Sequence, residues 1–527
     1  MPYALTTSTG HEWATQRAAT LFAIFAGDLS DQKLEGIGRG FAAARADGAR
    51  IAAITSPSSR ASGAERRIAD LVVDGPVAPS PFALFAALEQ AGVDDARQLA
   101  VIGGRLDSLN AGHRAGAGAI IGVAPADPAA RRHLLEAQPD VIVTPHGFAD
   151  LYAARFASNR AHRERVLLNP GPSVVSDRVH RAIGGPDLCH REPEYSDILD
   201  GVKRKLLQVA GVGDDWAMVM LAGSGTAAME AMTGAAARPG RKLLVCQNGI
   251  YGERIATISR RLGTEVVLVE AAPFQPIDPA DVAAALDANP DVDAVAVIHH
   301  ETTTGLLNPV EAIAAEADKR GVLVLCDAIS SLGAEDLDLG AGTIDFVAST
   351  SNKCLHGLPG AAFVLVSPRG QRRIDEVPPR SLYFDLPNYL NAQGKRTVPF
   401  TPAIPALYSL DAALDELLDE GVGHRREHYQ ARMDFLDREL AALGLEPRVA
   451  PAHRSRSVRS LPLPEGMSYE ELHDAAKAEG YVIYAGLGDS AKTSFRVCAL
   501  GALKIEALQG FVTVLATTMS RRPVAVR

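Results

Sequence analysis

The sequence predicts an α/β protein whose sheets are mainly parallel, and three observations carry that prediction. Apolar runs of strand length alternate with longer, helix-patterned segments through the N-terminal 150 residues. Further along, five apolar runs end abruptly in glycine, hydroxyl or charged residues, as buried strands do where they hand over to a loop at the carboxyl edge of a sheet. At 527 residues the chain exceeds one ordinary domain, so two or three are expected.

Composition narrows the function. Hydrophobic residues make up 47% and charged residues 22%, the balance of a soluble globular protein. A net charge of −10 and a pI near 5.8 argue against nucleic acid as the main partner, because phosphate backbones demand a basic face. No apolar run is long enough to span a bilayer, and the start of the chain lacks the basic and apolar regions of a signal peptide. The five cysteines, Cys189, Cys246, Cys326, Cys354 and Cys498, are scattered singly. They read as reduced thiols of a cytoplasmic protein, with no disulfide and no metal site.

In chain order, strands are expected over 20–25, 49–55, 98–102, 119–123 and 141–144, with helices over 34–46, 81–91 and 107–115. This is a small doubly wound domain, assigned residues 1–160. A helix over 150–165 leads to Val166-Leu-Leu-Asn-Pro-Gly-Pro172, where the prolines and glycine force an extended turn and a boundary. A large mainly parallel-sheet domain then occupies 161–405, and a smaller α+β domain 406–527. The latter has helices over 410–418 and 425–443 and strands over 457–463 and 481–484.

The chemistry concentrates in the large domain. Lys353 lies between an apolar strand over 344–349 and another over 361–366, in a turn punctuated by Gly357, Pro359 and Gly360. A lysine held there is expected to be poorly solvated, which favours the neutral amine that attacks a carbonyl and makes Lys353 a candidate Schiff-base nucleophile. An apolar strand opens onto Gly223-Ser-Gly-Thr226 ahead of a small-residue helix. There the backbone N–H groups of a helix start, with the Ser224 and Thr226 hydroxyls, make an anion site. Asn248-Gly-Ile-Tyr-Gly252 presents the Tyr251 ring to a flat heterocycle or to the core, and His299-His-Glu-Thr-Thr-Thr-Gly305 is rich in hydroxyl donors.

Asp327 closes a buried apolar strand, which is costly unless a positive group meets it. A protonated pyridine nitrogen would supply that charge and turn pyridoxal phosphate into an electron sink. Arg496, within the strand Thr493-Ser-Phe-Arg-Val-Cys498, suits a carboxylate or phosphonate bidentately, with an internal salt bridge as the alternative. Cys189-His-Arg-Glu-Pro-Glu-Tyr195 reads equally as a charged helix start or as a segment near the site.

Residues from Val166 to about Met519 resemble a class V aminotransferase of fold type I. The segments His300-Glu-Thr-Thr-Thr-Gly305 and Ser351-Asn-Lys-Cys-Leu-His-Gly-Leu-Pro-Gly360 are most similar to those of 2-aminoethylphosphonate:pyruvate aminotransferases. The resemblance implies pyridoxal 5′-phosphate as cofactor, with its phosphate on Ser224, Gly225 and Thr226, its ring against Tyr251 and its ring hydroxyl on Thr302. It also implies that Asp327 meets the pyridine nitrogen, that Lys353 forms the Schiff base, and that Arg496 binds substrate. Thr401, in Pro399-Phe-Thr-Pro402, would reach the phosphate of a partner subunit, implying a homodimer with shared sites. The implied reaction moves an amino group from an aminophosphonate to a 2-oxo acid such as pyruvate. Alanine–glyoxylate or serine–pyruvate transamination is the alternative.

The N-terminal part, from Ala78-Pro-Ser-Pro-Phe-Ala-Leu-Phe85 and Val101-Ile-Gly-Gly-Arg-Leu-Asp107, resembles a haloacid-dehalogenase-type (HAD-like) domain. It departs from that pattern with Ala26 at the nucleophile, Ala78 at the lysine and Gly104 at a metal-binding aspartate, retaining only Asp28. The resemblance therefore implies a degenerate domain with a structural or regulatory role, in which Asp28, Thr55 and Asp107 act as caps and turn residues. A bifunctional fusion with an active phosphonatase is the alternative.

Overall fold

The structure, a computed structural model, describes residues 5–6, 21–46, 49–55, 61–75, 80–93, 96–124, 134–139, 141–144, 148 and 165–520. The chain divides into two compact units, Met1–Arg165 and Val166–Arg527. Ala78 and, apart from Arg165, the helix expected over 150–165 lie outside the described residues.

The first unit carries a seven-stranded sheet of β1 (Leu5–Thr6), β2 (Leu21–Phe25), β3 (Arg50–Thr55), β4 (Leu71–Asp74), β5 (Leu99–Gly103), β6 (Ala119–Val123) and β7 (Val141–Val143). Their order is β1-β7-β6-β5-β2-β3-β4, parallel except for β1. Successive residues of β2 serve opposite cores, Phe22 and Ile24 on one face and Leu21, Ala23 and Phe25 on the other. That is why the strand reads as an unbroken apolar run. Elements beyond the sequence expectations include β1, β4 and the short helix Gly63–Ile68, which is fixed by a Ser62/Glu65 capping box.

The strand order reverses between β2 and β5, and Asp28 and Gly104 meet across that point. The Asp28 carboxylate accepts the Gly104 N–H at 2.8 Å, and burial pushes it up to about 6. Asp28 is thus a buried cross-strand acceptor rather than a cap. Thr55 donates to the Val73 carbonyl at 3.3 Å, and Asp107 sits in the first turn of helix Leu106–Ala115.

In the second unit the main sheet comprises β9 (Ala217–Gly223), β10 (Lys242–Gln247), β11 (Glu265–Glu270), β12 (Val292–Ile298), β15 (Leu323–Asp327), β16 (Phe346–Thr350) and β17 (Gly360–Val366). The order is β11-β10-β12-β15-β16-β17-β9, with β17 antiparallel to both neighbours and the other pairs parallel. Helices cover both faces. Val295 and Val297 of β12 point into the core shared with helices Pro193–Ala210 and Ile404–Glu420, while Ala294, Ala296 and Ile298 face helices Gly225–Gly234 and Ile250–Arg261. β13 (His300–Glu301) and β14 (Leu306–Leu307) form a small hairpin after β12.

The C-terminal part has an antiparallel sheet of β18 (Val458–Pro462), β21 (Ser494–Cys498) and β20 (Tyr484–Ala485), backed by helices Val422–Ala442, Tyr469–Ala478 and Ile505–Ser520. The strand expected over 481–484 splits at Ile483. Its first half, β19 (Tyr481–Val482), pairs in parallel with β8 (Val166–Leu167), and Leu168 joins the core of Phe495 and Phe511. The opening residues of the second unit therefore pack with its C-terminal part.

Candidate active site

The lysine turn is held at both ends. Ser351 N–H donates to the Ala361 carbonyl at 2.9 Å and Gly357 N–H to the Ser351 carbonyl at 2.8 Å, closing the loop between β16 and β17. The Lys353 carbonyl accepts from the Ser173 hydroxyl at 3.3 Å and from the His356 N–H at 3.1 Å. Gly171, at φ +122°, leaves room for the lysine stem, since a Cβ there would stand 3.1 Å from Lys353 Cε. Lys353 is partly buried, and its amine lies over the Tyr251 ring, 5.9 Å from the centroid.

Asp327 ends β15, in register with Ile298 and Ala348 on the flanking strands, so it and Lys353 follow adjacent strands. Only 4% of Asp327 is exposed. One carboxylate oxygen accepts the Ile329 N–H at 2.9 Å. Burial pushes the group up to about 7 against the opposing pull of that hydrogen bond and of the Lys353 charge. Among the described residues no cation pairs directly with this carboxylate.

At the end of β9, Ser224 caps helix Gly225–Gly234 without spending its side chain on a capping hydrogen bond. Gly225 is required by packing, as a Cβ there would meet Ile329 Cδ1 at 2.6 Å. The Thr226 hydroxyl accepts from Arg254 Nη1 at 3.3 Å, and the Arg254 guanidinium lies 4.9 Å from the Tyr251 centroid. Hydroxyls, helix-start N–H groups and a guanidinium thus lie together, a set of donors that suits an anion.

Thr302 is fully buried and its hydroxyl has no hydrogen-bond partner among the described residues. An orphaned buried hydroxyl fits a cofactor whose ring carries an oxygen. Arg496, 2% exposed, donates through Nη1 to the Thr302 carbonyl at 3.2 Å and through Nε to the Ala485 carbonyl at 2.9 Å. No carboxylate pairs with it among the described residues, so the salt-bridge alternative is not what holds it.

The structure therefore brings Lys353, Asp327, Ser224, Gly225, Thr226, Tyr251, Thr302 and Arg496 to one edge of the sheet. Thr401 is exposed and makes no hydrogen bond to the others within the chain. Residues 189–192 form an exposed turn before helix Pro193–Ala210. Two side chains escape the sequence reading. Arg254 stands one helical turn after Tyr251, a spacing that places both on one face and could have flagged it. Glu301, fully buried, reads in the sequence as one polar residue in a polar run.

An anion-binding helix start, a cation-seeking strand-end carboxylate and a lysine past the adjacent strand define a pyridoxal 5′-phosphate enzyme of fold type I. The model of the family Aminotransferase class-V matches residues 176–501, and the chain belongs to that family. A curated 2-aminoethylphosphonate–pyruvate transaminase from Syntrophobacter fumaroxidans is 33% identical over 362 residues, 68% of this chain and 96% of that protein. Its counterpart from Vibrio cholerae is 35% identical over 332 residues, 61% of this chain and 89% of that protein. Among solved structures, alanine–glyoxylate aminotransferase from Nostoc sp. aligns with a TM-score of 0.65 at 26% identity, covering 67% of this chain and 95% of that one. Aspartate aminotransferase from Thermus thermophilus aligns at 0.62 with 28% identity, covering 67% and 99%. The protein is a pyridoxal-phosphate-dependent aminotransferase. Among the described residues no helix is long and apolar enough to cross a membrane.

Proposed function

We propose that this aminotransferase moves the amino group of 2-aminoethylphosphonate to pyruvate, giving phosphonoacetaldehyde and alanine. The observation that carries the reading is Arg496, a buried guanidinium beside the Thr302 turn with no carboxylate partner among the described residues, suited to the anionic group of each substrate in turn. The substrates named for the Syntrophobacter and Vibrio relatives support the donor and acceptor.

Bound pyridoxal phosphate supplies the electron sink that makes the carbon next to the amine acidic. The chain supplies the rest. Ser224, Gly225 and Thr226, with Arg254, would hold the phosphate, and Tyr251 would lie against the ring. The Thr302 hydroxyl would donate to the ring oxygen, and the Asp327 carboxylate would hold a proton on the pyridine nitrogen. Lys353 Nζ takes the proton from the amine-bearing carbon of the donor and returns one when the 2-oxo acid is converted. Thr401 completes the phosphate site of a second copy in a homodimer, in a cytoplasmic protein.

Within this reading, residues 161–405 bind the cofactor, 406–527 close over substrate, and the first unit is a degenerate HAD-like module with a structural or regulatory role. Supplying purified protein with a panel of amines and either pyruvate or glyoxylate tests it. With pyruvate, turnover of 2-aminoethylphosphonate well above serine and aspartate is expected. Preference for alanine with glyoxylate would overturn the substrate assignment in favour of the activity named for the Nostoc structure.

A further inference from the structure

Between the Tyr251 helix and the Thr302 turn lies a carboxylate that no step above uses. Glu301 is fully buried in the β13–β14 hairpin. One oxygen, Oε2, accepts the Tyr251 N–H at 3.2 Å. The other, Oε1, accepts from Thr303 twice, from its N–H at 3.2 Å and its hydroxyl at 2.6 Å. Gly249 gives the side chain its space, since a Cβ at that position would come within 2.3 Å of Glu301 Cδ. Burial raises the carboxyl against the pull of these donors and of the Lys353 charge.

The arrangement has a logic beyond satisfying a buried group. A buried polar side chain is ordinarily bonded to whatever backbone is nearest. Glu301 instead holds its own turn through Thr303 and also reaches the first turn of helix Ile250–Arg261, fifty residues away in sequence, so it ties together Tyr251 and the turn of Thr302, which would each carry one contact to the cofactor ring. Three donors converge on it and none of its own is needed, so the ionised form is the one that matches. A carboxamide cannot replace it, because one end would turn N–H groups toward an N–H.

We propose that Glu301 is a positioning residue that locks the Tyr251 shelf to the Thr302 turn, so that the ring face and the ring oxygen of the cofactor are held as one preorganised unit. This rests on the pyridoxal phosphate reading of the site. It extends it to a residue that touches neither cofactor nor substrate.

The test uses the full chain, prepared without and with pyridoxal 5′-phosphate. In cofactor-free Glu301→Gln, amide hydrogen exchange of residues 249–255 should quicken about ten-fold. The dissociation constant for the cofactor should rise by about ten-fold, and the circular dichroism of the bound chromophore should change, with Glu301→Asp recovering part of each. A role in fold stability alone would lower the melting temperature while leaving the affinity and dichroism of the folded protein unchanged, and that result would overturn the proposal. Should Glu301→Gln fail to fold, Thr303→Val and Gly249→Ala press the same carboxylate from either side. Each should weaken cofactor binding several-fold, and wild-type affinity in both would overturn the proposal. Wild-type protein that takes up no cofactor would overturn the site assignment and this inference together. Wild-type uptake with an unaltered Glu301→Gln overturns the inference alone.

Discussion

The two units present the same edge of the same kind of sheet, yet among the described residues only the second gathers a lysine, a buried carboxylate and a guanidinium there. In the first, the strand ends at the reversal of order offer Ala26, a buried Asp28 bonded to the Gly104 amide, and glycine at 103 and 104. In the second, adjacent strand ends offer Asp327 and Lys353, with the Ser224–Thr226 helix start, the Tyr251 ring and the Arg254 and Arg496 guanidinium groups at the same edge. A parallel sheet with covered faces fixes where chemistry can sit. What the loops carry decides whether any does, which is why architecture alone does not assign activity.

The contrast can be broken most severely at Lys353. Lys353→Ala should lower the transamination rate by at least 10²–10⁴-fold, the value of a positioned proton-transfer group. Single-turnover kinetics would show it, and near-normal turnover would sink the assignment. Asp327→Asn comes next, with a fall on the order of 10²-fold because a neutral amide cannot hold the pyridine proton.

The same variant sharpens the comparison through stability. The folded Asp327 carboxyl is raised from 3.8 to about 7, so the folded state binds the proton more tightly than the unfolded chain. Stability of the cofactor-free protein from this group is therefore present below pH 4 and falls as pH rises toward 7. Asp327→Asn without cofactor should be more stable than wild type by ~2 kcal/mol at pH 8, an advantage that vanishes near pH 4 in urea melts.

Arg496→Lys keeps the charge but loses the planar fork, and should cut kcat/KM by roughly 10–10²-fold, mostly through KM. The smallest effect belongs to the first unit. Asp28 is raised from 3.8 to about 6 by burial, so it too costs stability as pH rises through that window. Asp28→Asn should gain ~1 kcal/mol at pH 8 in the unfolding of that unit while leaving transamination unchanged. A loss of transamination in Asp28→Asn would break the separation of roles between the units.

Much of this site was legible because it depends on short-range pattern. Lys353 stands between two apolar strands, Asp327 closes one, and Gly223-Ser-Gly-Thr226 follows another, each readable within a dozen residues. Arg496 was legible as a charge that an apolar strand does not tolerate unpaired. Glu301 was not, because its meaning lies in the Tyr251 amide fifty residues away and in the space Gly249 leaves. The pairing of Val166–Leu167 with Tyr481–Val482 escaped for the same reason, as two-residue strands have no periodicity to detect. Helix Gly63–Ile68 is brief and charged, so only its capping box marked it. The turn around Lys353 was legible in position, but its close neighbours Gly171 and Tyr251 were not, because both are distant in sequence.

The central claim, that Lys353 is the residue joined to the cofactor, is open to direct chemical location. Holoprotein reduced with borohydride, digested and mapped by mass spectrometry should carry the pyridoxyl phosphate group on Lys353 and on no other lysine. Labelling of a different lysine, or a holoprotein that retains no reducible cofactor, would contradict it.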